Sequence, residues 1–312
     1  MNKRDTILNL LDSQVPPEYV PAALFMHFDP EYHQGQAAIN KHLEFFRYTG
    51  MDFVKIQYEQ IQPPFLIEKP EDWERVPLYP DEFHESALSV VAGLVREMKK
   101  EALVIMTLYS PFMWATYLAN DALLDNHLKE NPEVVKKGLE IMAENVIRLA
   151  RGCMRAGVDG FYASTVGGEA HRFEGTDIFE KYVKPTDLAV WNEIGGCKIN
   201  ILHVCDFDGE YNDFSSFLSY PGHMVSSSLT IGHRKHTAAE ISKLFGRPYL
   251  GGLDRKGVIN TGDQEAICAA VEEVIRSAPD QFILGADCTM LPGTPWEHLK
   301  TAIDTAHFHK RQ

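Results

Sequence analysis

The sequence predicts a single (β/α)8 barrel of the α/β class spanning residues 1–312 as one domain. Three observations carry that expectation. Eight short apolar, β-prone runs recur at fairly even intervals, each run is followed by a segment of helical periodicity, and no Gly/Ser-rich linker, low-complexity run or charge block divides the chain. Near-continuous apolar strands alternating with helices mark a parallel sheet covered by helices, and closing that sheet into a barrel is the simplest use of all eight. An open doubly wound sheet is the alternative, but no Gly-x-Gly-x-x-Gly follows the first run to mark a dinucleotide site.

The chain opens on Ile7, Leu8, Leu10 and Leu11, broken by Asn9 and Asp12, which is too poor a core for a signal peptide and reads as an amphipathic leading helix. The strand-like runs are Val20 to Phe28, Asp52 to Gln60, Leu103 to Ser110, Val158 to Thr165, Lys198 to Asp206, His223 to Thr230, Arg247 to Asp254 and Gln281 to Met290. Between and after them the spacing predicts helices over Gln36 to Thr49, His84 to Glu101, Pro132 to Ala156, Thr176 to Ile194, Asp208 to Leu218, Ala238 to Phe245, Asp263 to Ser277 and Pro295 to His307. The clearest is the third, where Val134, Val135, Leu139, Met142, Val146, Ile147 and Leu149 fall near the i, i+3, i+4 spacing of one buried face. Gly50, Gly157, Gly195-Gly196 and Gly246 stand where helices end and suit a C-cap that needs positive φ. Pro63, Pro64, Pro70, Pro77 and Pro80 mark an insertion after the second run, expected to roof the barrel mouth.

Composition narrows the function classes. Thirty Lys and Arg against 44 Asp and Glu give a net charge of −14, which argues against a nucleic-acid groove, because phosphate binding is driven by basic side chains releasing counterions. No stretch approaches the roughly 20 apolar residues that span a bilayer. Five cysteines, an odd number in a long chain, point to no disulfide framework and to a reducing cytoplasm.

In a barrel the catalytic groups belong at the C-terminal strand ends. The second run closes on Gln57-Tyr58-Glu59-Gln60, the fourth on Tyr162-Ala163-Ser164-Thr165, the fifth on His203-Val204-Cys205-Asp206, the seventh on Gly251-Gly252-Leu253-Asp254-Arg255 and the eighth on Gly285-Ala286-Asp287-Cys288. Side chains two apart on a strand share a face, so His203 and Cys205 project together. With Cys288 at another strand end they make one nitrogen and two sulfurs with an open fourth position, the pattern of a catalytic Zn2+ site. The plainer alternative is a pair of small buried thiols. Tetrahedral ligands must also lie within about 4 Å of one another, so the loop after the eighth run has to lean inward. Cys153, Cys197 and Cys268 fall on or beside helices and read as bystanders. Glu59, on the apolar run from Phe53 to Ile61, is either a solvated strand-end charge or a buried acid, base or metal ligand. Asp254 is similar, with Arg255 available as an ion-pair partner. Phe112, Trp114 and Tyr117 after the third run are candidates to line an aromatic pocket or simply to pack.

These strand ends resemble the uroporphyrinogen decarboxylase family, a (β/α)8 superfamily that includes zinc-dependent corrinoid methyltransferases. The likeness rests on Leu108-Tyr109-Ser110-Pro111-Phe112-Met113-Trp114-Ala115-Thr116-Tyr117-Leu118, on Gly251 through Arg255, and on Phe282 through Gly285 with Leu291-Pro292-Gly293-Thr294-Pro295. It implies a substrate contact for Tyr117 and a match between Glu59 and the decarboxylases' catalytic Asp. Against the decarboxylase branch, Met26-His27-Phe28-Asp29 ahead of Pro30-Glu31-Tyr32 lacks the Arg that a porphyrinogen with many carboxylates requires, and Gly285-Ala286-Asp287-Cys288 replaces the family's Gly-His-Gly. The His-x-Cys and the late Cys are those of the methyltransferase branch. That branch implies Zn2+ on His203, Cys205 and Cys288, a small thiol held as thiolate, and a methyl group presented by a corrinoid on a partner protein. Glu59 would then be a fourth ligand or a proton acceptor, Asp254 a further catalytic candidate, and Tyr58, Trp114, Tyr162 and Ser164 would face substrate. The rival readings are a cofactor-free decarboxylase of porphyrin biosynthesis and a non-catalytic binding barrel.

Overall fold

The computed structural model describes residues 2–12, 17–59 and 65–309, so Gln60 to Pro64, with the first two prolines of the insertion, lie outside the described residues. Seven strands form one curled parallel sheet: β1 Phe53–Ile56, β2 Leu103–Tyr109, β3 Gly160–Thr165, β4 Ile199–Val204, β5 Met224–Ser227, then, past a small antiparallel hairpin of β6 Thr230–Ile231 and β7 Arg234–Lys235, β8 Tyr249–Leu253 and β9 Phe282–Ala286. The order in the sheet is β1-β2-β3-β4-β5-β8-β9. Nearly every residue of these seven strands is buried, as a parallel sheet sheathed in helices requires.

The first expected strand is the main departure. Val20 to Phe28, buried except for His27, lies next to β9 but makes only two isolated parallel bridges, Ala22 with Leu284 and Met26 with Met290, and on its other side Asp52 N donates to Ala22 O at 2.9 Å. It is an extended segment between the two edges of the sheet and not a regular eighth strand. Pro21 has no N–H to give a ladder.

Most expected helices form close to their predicted bounds. Pro132–Ala156 starts on a proline, buries Val135, Leu139, Met142, Val146 and Leu149, and stops at Gly157 with φ 98°. Ala238–Phe245 carries a capping box: Glu240 N donates to Thr237 Oγ1 at 3.1 Å and Thr237 N to Glu240 Oε2 at 2.8 Å. Gly50 and Gly246 cap as expected, but Gly195 ends its helix at φ −58° and needs no glycine freedom.

Two expectations about local structure fail. Asp208 to Leu218 is a loop whose only helical piece is the 3-10 turn Ser215–Phe217. Tyr211, Phe214 and Phe217 repeat every third residue and imitate a helix face, yet their rings pack against one another in an aromatic cluster without a helix between them. Ser215 N bonds Asp213 Oδ1 at 2.7 Å, a local side-chain bond that competes with helical pairing. Conversely, Pro111–Ala119 and Asp121–Glu130 are helices that periodicity did not reveal, capped by Ser110, which accepts from Met113 N at 3.2 Å, and by Asn120, which accepts from Leu123 N at 3.1 Å. No helix among the described residues is long and apolar enough to cross a membrane.

Candidate metal centre

His203 lies on β4, in register with Ser164 of β3 and Ser226 of β5. Cys205 follows one residue past the strand and keeps strand geometry because its N–H donates to Thr165 O at 3.1 Å. Cys288 follows β9 by two residues. Asp287 N donates to Leu253 O at 2.8 Å, extending the ladder to β8, and Cys288 N then donates to Asp287 Oδ1 at 2.9 Å, which turns the chain inward. The curl of the sheet and this turn bring β4 and β9 side chains together although two strands separate them.

The two sulfurs are 3.7 Å apart, and the ligand atoms of His203, Cys205 and Cys288 all lie within 4.8 Å of one another, each residue buried. A disulfide needs sulfurs about 2.05 Å apart, so these are two free thiols. Two sulfurs on a tetrahedral zinc at about 2.3 Å stand about 3.8 Å apart. Both ring nitrogens of His203 lack a hydrogen-bond partner among the described residues, a costly state for a buried imidazole that a metal ion would relieve. The donor set therefore fits zinc. Cys288, hydrogen-bonded to Cys205, is held well below the usual thiol range despite its burial, with His203 and Arg255 helping, and Cys205 is pushed well above it.

Arg255 ties the two cysteine loops together. Its buried guanidinium lies 2.6 Å from Asp206, which follows Cys205, and 3.1 Å from Asp287, which precedes Cys288, and its N–H donates to Asp287 Oδ1 at 3.0 Å. The expected Asp254–Arg255 pair is not formed: Asp254 is exposed and its carboxylate accepts from Lys256 N at 2.8 Å, closing a local turn. Asp254 lines a cavity of about 470 Å³ together with Asp206, Asp208, Asp287, Tyr211 and Lys256.

Glu59 stands outside the ligand cluster. Its carboxylate meets His27 Nδ1 at 3.0 Å, His33 Nε2 at 3.6 Å and Phe28 N at 3.4 Å. Burial pushes its carboxyl up, but the His27 hydrogen bond and the two histidine charges outweigh that and hold it below the ordinary range. Tyr58 and Trp114 stack at 5.8 Å, both buried, with the Tyr58 hydroxyl and Trp114 Nε1 lacking partners among the described residues. Tyr117, on the same helix as Trp114, has its hydroxyl pushed up to about 12 by burial and by the charges of Asp208 and Cys205. Tyr162 packs its ring 4.8 Å from that of His203 and shares a 3.0 Å hydrogen bond with Ser226, which fixes the imidazole's orientation. Ser164 is buried on β3 with its carbonyl accepting from Ser110 N at 2.9 Å.

Two charged residues of this region, Lys55 and Arg172, lie outside the strand ends. Lys55 is a buried ammonium in the middle of β1, and its signal is the lone charge in Phe53-Val54-Lys55-Ile56. Gln57 bridges it to His27, Nζ to Oε1 at 2.7 Å and Nε2 to Nε2 at 3.1 Å. Arg172, fully buried, gathers Glu169 at 2.5 Å, Asp121 at 3.0 Å, Asp125 at 3.3 Å and Asp208 at 3.4 Å. Nothing in periodicity marks it.

Comparison with known proteins agrees with this architecture. The structure is similar to a methyltransferase from Methanosarcina mazei, with a TM-score of 0.82 at 16% identity over 98% of each chain. It is also similar to a B12-independent methionine synthase from a Shewanella species bound to selenomethionine, with a TM-score of 0.52 at 13% identity over 95% of this chain and 94% of that one. No curated protein matches by sequence. The model of the uroporphyrinogen decarboxylase (URO-D) family matches residues 49–309. By that match the chain belongs to the uroporphyrinogen decarboxylase family.

Proposed function

We propose that the chain is a cytoplasmic, zinc-dependent methyltransferase of this family, a single barrel domain completed by the Val20 to Phe28 segment. It moves a methyl group between a corrinoid carried by a partner protein and a small thiol. The observation that carries the reading is the His203, Cys205 and Cys288 cluster with its 3.7 Å sulfur spacing. The similarity to a methyltransferase over the whole chain supports it. Zinc held by these three residues would bind a thiol's sulfur and keep it as thiolate at neutral pH.

The chain's own residues do the rest. Arg255 holds the two cysteine loops in register, and Tyr162 orients His203. Glu59, outside the ligand cluster and charged between two histidines, serves as a proton acceptor in preference to a fourth ligand. Tyr58, Trp114 and Tyr117 wall the substrate side, with Ser164 on β3 in register with His203 and Asp254 at the rim of the acidic cavity.

The test is the metal content of protein purified without chelators, before and after Cys205→Ser, followed by demethylation of free methylcobalamin with added thiol. One zinc per wild-type chain, lost in the variant, and thiol-dependent demethylation are expected. Metal-free wild type would sink the reading, and turnover of uroporphyrinogen would replace it with the decarboxylase.

A further inference from the structure

We propose that Lys55 is the buried countercharge for an anionic fourth ligand at the metal centre, a positioning residue that makes the site select a thiolate over a neutral ligand. This rests on the zinc reading above. Lys55 sits mid-strand on β1, opposite Ile105, and its ammonium is enclosed: 4.8 Å from the centre of the Phe25 ring, 4.9 Å from that of Tyr162, and hydrogen-bonded to Gln57 Oε1 at 2.7 Å. None of these three is an anion. Among the described residues no carboxylate comes within ion-pair distance of it.

A buried cation without an anion is costly, and rings and one amide oxygen offset only part of that cost. Such a group is kept where a charge arrives during function. The direction from which it arrives is set by Tyr162, whose ring touches the Lys55 ammonium and also lies 4.8 Å from the imidazole of His203. One aromatic ring thus separates the lysine from a metal ligand. Burial pulls the Lys55 ammonium down to about 8, against the opposing charges of Cys288, Glu59 and Cys205.

The charge arithmetic gives Lys55 its role. Zn2+ with two cysteine thiolates and a neutral imidazole sums to zero. A thiol that binds in the open position gives up its proton, through Glu59 and on to the buffer, and so brings one negative charge inside the barrel. Lys55 offsets that charge, whereas a neutral ligand such as imidazole gains nothing from it.

The test uses the full chain loaded with Co2+, whose visible spectrum reports the fourth ligand, and compares wild type with Lys55→Met. Two probes are titrated, 2-mercaptoethanol and imidazole. Removing one unit charge at this remove is expected to weaken 2-mercaptoethanol binding on the order of ten- to a hundredfold, with imidazole affinity and cobalt stoichiometry unchanged. A merely structural role would weaken both probes alike. If Lys55→Met does not fold, Lys55→Gln, which can still donate to Gln57, takes its place with the same expectation. Equal affinity for 2-mercaptoethanol in wild type and variant, or a parallel loss for both probes, overturns the proposal while leaving the zinc reading intact. A wild type that takes up no cobalt or zinc overturns both.

Discussion

Replacing Arg255 by Met should damage the protein twice, once in stability and once in metal affinity. The guanidinium is buried between Asp206 at 2.6 Å and Asp287 at 3.1 Å, so the substitution leaves two largely buried carboxylates facing each other with no cation. Removing one member of a buried ion pair costs about 3–5 kcal/mol. With an unfolding entropy of about 2.1 cal/mol/K per residue, a chain of 312 residues loses about 1.5 °C of melting temperature per kcal/mol, hence a drop of roughly 5–8 °C. The second effect is local. Asp206 and Asp287 are chain neighbours of Cys205 and Cys288, and Arg255 is what holds their loops at one distance. Loss of such a supporting contact typically costs 10–100-fold in metal affinity. Thermal melts of chelated protein and zinc competition against a chromophoric chelator measure the two separately. Lys in place of Arg keeps the charge but not the fork that reaches both carboxylates, so it should recover most of the melting temperature and little of the zinc affinity. A zinc dissociation constant within threefold of wild type in Arg255→Met, with the melting temperature lowered as expected, would refute the claim that this ion pair positions the cysteines.

Other consequences are simpler to check. Arg172→Met strands Glu169, Asp121, Asp125 and Asp208 around an empty centre and should also lower the melting temperature by roughly 5–8 °C at pH 7. Glu59→Gln should leave one zinc per chain, because Glu59 stands outside the ligand cluster, while slowing methyl transfer about 10²–10⁴-fold as expected for a lost acid–base group. Asp187 accepts hydrogen bonds from Thr165 Oγ1 at 2.6 Å and Tyr220 at 2.9 Å, yet burial pushes its carboxyl up to about 7. A raised folded value means that its contribution to stability is complete in acid, below the unfolded value near 3.8, and is lost as pH rises through about 7. The melting temperature of wild type relative to Asp187→Asn should therefore fall from pH 5 to pH 7 and level off above, and a pH-independent difference would contradict the assignment.

How much of this was legible beforehand follows from the range of the interactions involved. His203 and Cys205 share a face by strand alternation alone, a two-residue rule that one sequence displays fully. The helix Pro132–Ala156 was equally plain, because 25 residues repeat one buried stripe and end on a glycine. The loop from Asp208 to Leu218 imitates a helix in sequence for the complementary reason: its aromatics repeat at a helical interval, but Phe214 and Phe217 find partners in Phe245 and Phe179, distant in sequence, and Tyr211 donates to the carbonyl of Cys205. Val20 to Phe28 has the composition of a strand and lies between two sheet edges, yet pairing needs backbone register, and composition does not encode register.

Cys288 marks where local reasoning ends. Its residue type and strand-end position were visible, but its approach to Cys205 depends on the Asp287 side chain turning the backbone and on Arg255 clamping that side chain to Asp206. Each of those residues looks like a surface charge when read alone. The net charge of −14 has the same character. Counted over the chain it only disfavours anionic partners, whereas the folded chain uses acidic groups in small sets around single buried arginines, Asp206 and Asp287 on Arg255 and four carboxylates on Arg172. Lys55 is the exception that gives this pattern its meaning. The two arginines are each outnumbered by carboxylates within ion-pair reach, whereas among the described residues the buried lysine has no carboxylate at that distance, and the proposed countercharge role rests on that asymmetry.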